Sequence, residues 1–287
     1  MTKMIHTQKE TWSIIIKPKA GLFDINLKEL ISYKDLIQMF IRRNIVTQYK
    51  QTILGPLWFF VNPILTTVMY MIVFGRIAGI PTDGLPQPLF YLAGICLWNY
   101  FATCLWRTSN TFVENEYIFG KVYFPRLVMP FSAVISCLIT LGIQLSLFLI
   151  IYAYYVIQGF PVAFNIYILL TPVLIIILAG LSVGIGIITS SMTTKYRDLS
   201  ILFSFIVQLW MYATPIIYPL SMMSPQKQWI AALNPVTSII ETFKYATLGQ
   251  GTFSWMYLSY SFGFMCVVLT VGIIVFNKVQ RNFMDTV

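Results

Sequence analysis

The sequence predicts an all-α polytopic membrane protein: six transmembrane helices per protomer, an N-terminal amphipathic interface helix, and an extracytoplasmic pair of short re-entrant helices between spans five and six. Three observations predict it. Of 287 residues, 57% are hydrophobic and only 10% charged, against about 25% charge in an average soluble domain. Apolar runs of roughly 20 residues recur, each long enough to cross the ~30 Å hydrocarbon layer as a helix. Lys and Arg are also one-sided. Nine precede the first span, three lie in the second-to-third connection, two in the fourth-to-fifth and two in the tail, against three in the remaining loops (Arg76, Lys227 and Lys244). By the positive-inside rule, both termini are expected in the cytoplasm. The same bias accounts for the +9 net charge through basic loops beside anionic lipid, without calling on nucleic acid.

Residues 1 to about 31 read as a polar cytoplasmic arm broken by Pro18 and Gly21, with a short strand expected at 13–16. The opening MTKMIHTQKE has no apolar core of the signal-peptide kind. From Tyr33 the period turns helical, with Tyr33, Leu36, Ile37, Phe40 and Ile41 on one face and Lys34, Gln38 and Arg42 opposite. Such a helix either lies in the interface, its apolar face among acyl chains and Arg42 and Arg43 toward headgroups or a partner, or packs on the protein's own cytoplasmic side. Spans are expected at 56–76, 87–107, 129–157, 166–192, 199–218 and 256–276. The organisation is then an arm and interface helix (1–55), a six-span domain (56–276) with a cytoplasmic coupling segment (108–128) and extracytoplasmic helices (219–255), and a cytoplasmic tail (277–287).

The 219–254 connection keeps apolar residues in two pieces either side of Asn234-Pro235, each too short to span, which fits two helices dipping into the outer leaflet or an external cap. In span four, Gly180/Gly184 and Ser182/Gly186 give small-xxx-small spacing, which serves packing either inside the protomer or between two copies. Cys96, Cys104, Cys137 and Cys266 all fall in apolar runs without a CxxC pair, so neither disulfide nor metal is expected.

The chemistry on offer is that of a path. The spans hold no Asp, Glu, Lys or His away from their ends, and the one histidine is His6. This disfavours a proton-coupled carrier and leaves general acid–base catalysis unstaffed. Gly120-Lys121-Val122 lacks the rest of a phosphate loop, so a nucleotide engine is expected on another chain. Uncharged stripes remain. Trp58 stands just inside span one, followed at helical spacing by Phe59, Asn62, Thr66 and Tyr70; Cys96, Asn99, Thr103 and Trp106 line span two; Ser204, Gln208, Tyr212 and Pro215 line span five. Aromatic faces with hydroxyls and amides suit neutral sugars, although each residue alone serves equally in helix packing or interface anchoring. The second cytoplasmic connection offers Tyr117, Ile118 and Phe119 between Glu114, Glu116, Lys121 and Arg126, as a helix docking into a partner's groove or as a loop on the membrane surface.

Residues 49–58 carry Tyr49, Lys50, Thr52, Leu54, Gly55, Leu57 and Trp58 in a Tyr-Lys-x-Thr-x-Leu-Gly-x-Leu-Trp array. Further blocks are Asn115 to Pro130 with Lys-Val-Tyr-Phe-Pro-Arg, Tyr196-Arg197-Asp198 leading to 208–219, and Asn234-Pro235 with Phe243-Lys244. In this order the chain resembles the permease subunits of ABC-2 type polysaccharide exporters, which move O-antigen, capsule or teichoic acid. The resemblance implies a homodimer working with two cytoplasmic ABC ATPases, which would hold ATP and Mg while this chain carries no cofactor. It further implies that Arg42, Arg43, Tyr49 and Lys50 of the first helix and Glu114 to Arg126 touch that ATPase, and that the 219–254 helices, with Trp229, Asn234, Glu241 and Lys244, form the outer gate. Asn44 stands where many relatives carry Asp, Gln48 where a further basic residue is found, and Lys244 where Arg is common. A lysine there binds as a point charge without arginine's fork.

Overall fold

The computed structural model describes residues 31–50, 52–119, 121–122, 124–161, 164–194, 196 and 198–286, without the side chains of Tyr49, Glu116 and 280–286. The expected strand at 13–16 lies outside the described residues. Helix α1 (Lys34–Tyr49) keeps the predicted face: Phe40 is buried, Tyr33, Leu36 and Ile37 pack on the core, and Lys34, Gln38 and Arg42 are exposed. The cover for that face is the protein itself. The Phe40 ring stands 5.9 Å from Phe124, which seats the helix on its own chain.

The first span is a 3-10 turn (Gly55–Leu57), helix α2 (Trp58–Tyr70) and a π-helical turn (Met71–Ile77). Pro63 inside α2 cannot donate, and the Thr67 hydroxyl donates to the Pro63 carbonyl at 2.7 Å. Helix α3 (Gln87–Ser109) is the centre of the molecule, with Leu89 to Trp98 all buried. A short α4 (Thr111–Phe119) follows, then the long α5 (Val128–Ile157) and α6 (Thr171–Thr193), the latter preceded by a 3-10 turn at Ile166–Leu170.

The small residues of α6 are used within the protomer. A side chain at Gly184 would stand 2.8 Å from the Leu269 backbone nitrogen, one at Gly186 would run into Thr108 of α3, and one at Gly180 would overlap Met265. Thr108 also donates across to the Ser182 carbonyl at 3.0 Å. Backbones this close gain dispersion contact over a long seam, which substitutes for the hydrophobic drive that lipid does not supply.

Helix α7 (Leu199–Tyr212) is shorter than expected. Its 14 residues make about 21 Å at ~1.5 Å per residue. Thr214 precedes a proline, which disfavours helix there, and Pro215 has no N–H to continue the ladder. Among the described residues, five helical segments are long and apolar enough to cross a membrane: Gly55–Ile77, Gln87–Ser109, Val128–Ile157, Ile166–Thr193 and Trp255–Val279. Between α7 and the last of these come a 3-10 turn (Leu220–Met222), α8 (Pro225–Ala232) and α9 (Pro235–Leu248). Helix α8 is mostly exposed, whereas α9 is buried along nearly its whole length. Asn234 caps α9 by accepting from Val236 N–H at 3.1 Å, and Gly249 closes it with a left-handed φ of 73°. Helix α10 (Trp255–Thr286) runs on past 276, so the tail expected from 277 continues a helix.

Candidate translocation face

The two helices that carry most of the predicted path, α2 and α7, flank α3 and touch where the Tyr70 hydroxyl reaches Met211 Sδ at 3.4 Å. The Tyr70 ring stands edge-on to Phe74 and Tyr91 at 5.3 and 6.0 Å. On α7 a single stripe of Phe203, Val207, Trp210 and Met211 leans on the core, with Trp210 edge-on to Phe101 of α3 at 5.3 Å. No α7 residue is buried, and its outward side presents Leu202, Phe205, Ile206 and Leu209 together with Ser204, Gln208 and Tyr212.

The predicted path residues thus lie on uncovered or half-covered surface. Trp58, Asn62, Gln208 and Tyr212 are exposed, and Phe59, Thr66, Tyr70 and Asn99 are partly buried. Thr103 and Trp106 continue the exposed edge of α3, but Cys96 leaves the stripe: it is fully buried and its thiol points to the Gln144 carbonyl of α5 at 3.6 Å.

At the other predicted contact region, Arg43 donates to Asn115 Oδ1 of α4 at 3.2 Å, and its guanidinium sits 4.7 Å from the Phe40 ring centre. Asn44 donates to Ser136 Oγ of α5 at 3.4 Å. Arg43, Arg107, Glu114, Asn115, Thr47 and Ser132 line a cleft of about 220 Å³. Burial pushes the Glu114 carboxyl above its usual range, with Arg107 and Arg43 pulling it back. Arg42 and Lys50 are exposed. Phe119 is taken up by the core, against Phe112 and Phe124 at 5.8 Å each, and Arg126 lies over its ring at 5.4 Å. That leaves Tyr117, capped by the Lys121 ammonium at 3.5 Å, with Val113 and Val122 as exposed anchors. The side chains of Tyr49 and Glu116 lie outside the described residues.

Among the predicted gate residues only Trp229 is exposed. Asn234 joins three elements, accepting from Trp210 Nε1 at 3.0 Å and donating to Thr214 Oγ1 at 2.9 Å while it caps α9. Glu241 and Lys244 are both buried, 3.6 Å apart, and the ammonium donates to the Pro215 carbonyl at 2.7 Å. Burial pushes Lys244 down to about 8, with Glu241 and Asp83 working against the shift, and pushes Glu241 up. Lys244 is therefore spent inside the protein and does not offer a charge at the surface.

The ABC-2 type transporter family model matches residues 35–248. The chain belongs to that family. The ABC-2 protein is similar over 266 residues, at 27% identity, to an O-antigen export system permease protein RfbA of Klebsiella pneumoniae, covering 91% of this chain and 98% of that one. An RfbA permease of Myxococcus xanthus is 27% identical over 221 residues, 76% of this chain and 82% of its own. The inner membrane transport permease YadH of Escherichia coli K12 is 23% identical over 230 residues, 77% and 87% of the two chains.

Sequence reasoning did not find the partners that place these residues. Met211 beside Tyr70, Thr214 beneath Asn234 and the Asp83–Ser221 contact at 2.7 Å all pair positions far apart in the chain. The Asn-Pro pair marked the break between the two short helices; nothing local signalled what its amide would hold.

Proposed function

We propose that this chain is the membrane-spanning subunit of an ATP-driven exporter that moves lipid-linked polysaccharide across the bacterial cytoplasmic membrane. The observation that carries the reading is the likeness, over nearly the whole of both chains, to a permease named for O-antigen export. The geometry supports it. Helices α2 and α7 leave aromatic and amide side chains outside the protomer's own core, where a second copy would face them across a conduit, and stacked rings with hydroxyls suit sugar. In this reading α7, with the bent 213–219 segment, is the fifth of six spans. Helices α8 and α9 form the re-entrant outer pair, and both termini are cytoplasmic. Two ATPase copies bind ATP and Mg and press on α1 and α4. Their closure changes the separation of α2 and α7 across the homodimer, and Trp58 guards the cytoplasmic end of the path.

The test is to delete the gene and fractionate surface polymer from lipid-linked polymer held inside. Loss from the surface with internal accumulation is expected; normal surface polymer with no internal pool would overturn the reading. Another relative is named as a transport permease without a cargo, and a second reading is export of a small lipid or drug. In that case deletion sensitises the cell to a toxic compound and leaves its glycan alone.

A further inference from the structure

Helix α7 leans on the core by one stripe and buries no side chain completely, so what holds its ends adds to its placement. At the end that carries Tyr212 the chain bends through Pro215, and three elements meet around one nitrogen there. Lys244 Nζ of α9 donates to the Pro215 carbonyl at 2.7 Å, sits 3.8 Å over the ring of Phe90 in α3, and faces Glu241 at 3.6 Å. The other Glu241 oxygen takes the Thr252 N–H at 3.3 Å, from the link into α10. That link passes close by at Gly251, where φ is +126° and a side chain would stand 3.2 Å from the Glu241 carbonyl.

Stability does not explain such a pair. Desolvating two charges offsets much of their attraction, and apolar residues of similar volume often serve as well or better. The Glu241 Oε1 atom receives no hydrogen bond, which leaves the ammonium as its balance. What an apolar pair would not supply is a donor for the Pro215 carbonyl, together with a cation held to the π face of the central helix. We propose that Lys244 and Glu241 are positioning residues for export: they fix the bend at Pro215 and so aim α7 and its Tyr212 along the path. The proposal rests on the exporter reading for its consequence, but the pin itself is a property of the fold.

The test replaces both partners, Glu241→Leu with Lys244→Met, in cells that keep the partner ATPase, and reads surface polymer per molecule of membrane-inserted protein. The expected result is wild-type insertion, a surface signal down at least tenfold and internal polymer rising. Lys244→Arg, which keeps a cation and donor, should restore most of the signal. A double variant that exports normally overturns the proposal. So does one that fails to insert, since the pair is then a folding element. Normal surface polymer after deletion of the whole gene defeats the exporter reading instead. The pin is then read without cargo, from the distance distribution between spin labels at exposed Phe205 and Trp229 in nanodiscs. It should broaden in the double variant, and an unchanged distribution overturns the proposal.

Discussion

The segment buried most completely is not the most apolar. The central helix α3 has a mean hydropathy of 1.4 and 78% of its spanning window buried, whereas Gly55–Ile77 has a hydropathy of 1.8 with 11% buried, and Trp255–Val279 2.2 with 22%. In a water-soluble protein the order would run the other way. A membrane removes the gain from hiding apolar surface, because lipid tails are as apolar as leucine, so the helices that pack are those with shape and polar bonds to offer. Helix α3 supplies Tyr91, Trp98, Tyr100 and Phe101 for packing and Thr108 for a bond across to α6. Helices α2 and α7 leave most of their surface uncovered by the protomer.

That contrast can be broken at its strongest point. Gly184→Leu forces a side chain into the α10 backbone, which cannot move aside as a flexible side chain could. Overpacking in a fitted core costs about 1–3 kcal/mol and more where backbone must shift. The expected outcome is near-complete loss of folded protein from membranes, read by fluorescence-detected size exclusion. Folded protein at wild-type level would mean that α6 and α10 are not locked together.

The outward faces should behave in the opposite way. Leu202→Ala with Phe205→Ala removes two exposed side chains of α7, and substitutions away from packed features usually change stability by less than about 0.5 kcal/mol. Insertion and melting temperature should stay at wild-type values while export per molecule falls several-fold, if the proposed exporter uses this surface to meet a second copy or the polymer. A drop in stability with export per molecule intact would sharpen the comparison differently, by assigning α7 to the packed body.

How much was legible follows the same division. Periodicity found α1 and its face, and apolar length found five spans within a few residues, because both depend on neighbours along the chain. Pattern overran α7, since apolar residues 213–218 look alike in helix and in bend; the proline mattered more than the hydropathy. Lys244 and Glu241 were legible as outer charges and illegible as buried ones, because burial depends on Phe90 and Pro215, which lie 154 and 29 residues away. The small residues of α6 announced a close approach without naming the partner.

The outer pin also has a pH signature. Burial takes Lys244 down to about 8 from an ordinary 10.5. Between those values the unfolded chain holds a proton that the folded chain has released, so stability should rise with pH, by at most about 1.4 kcal/mol per unit. The charged groups facing Lys244 are Glu241 on its own helix and Asp83 from the loop before α3, while Tyr218 lies near Glu241. Glu241, raised by burial, contributes in the acid range with the opposite sense: stability present below 4.5 is lost as pH rises through its folded value. The difference in melting temperature between wild type and the Glu241→Leu/Lys244→Met variant should therefore shift in favour of wild type from pH 8 to 10. A difference that stays flat would mean that Lys244 keeps its proton.

The smallest effect is expected where α1 joins the body. Asn44 donates to Ser136 Oγ at 3.4 Å, and Ser136 in turn donates to the Ser132 carbonyl at 2.6 Å. The Ser136 hydrogen is thereby committed, and its oxygen can take a bond from Asn44 but has none to give back. Asn44→Ala removes a long, part-exposed bond and should cost about 0.5–1 kcal/mol. Asn44→Asp loses the donor as well, yet Arg43 already reaches the Asn44 side-chain oxygen at 3.4 Å and would pair with a carboxylate there. The two losses should differ: Asp close to neutral in low salt and approaching Ala as salt screens the pair, Ala insensitive to salt. Equal salt responses would show that position 44 reads only the hydroxyl of α5, and that an aspartate there holds α1 by some contact other than Arg43.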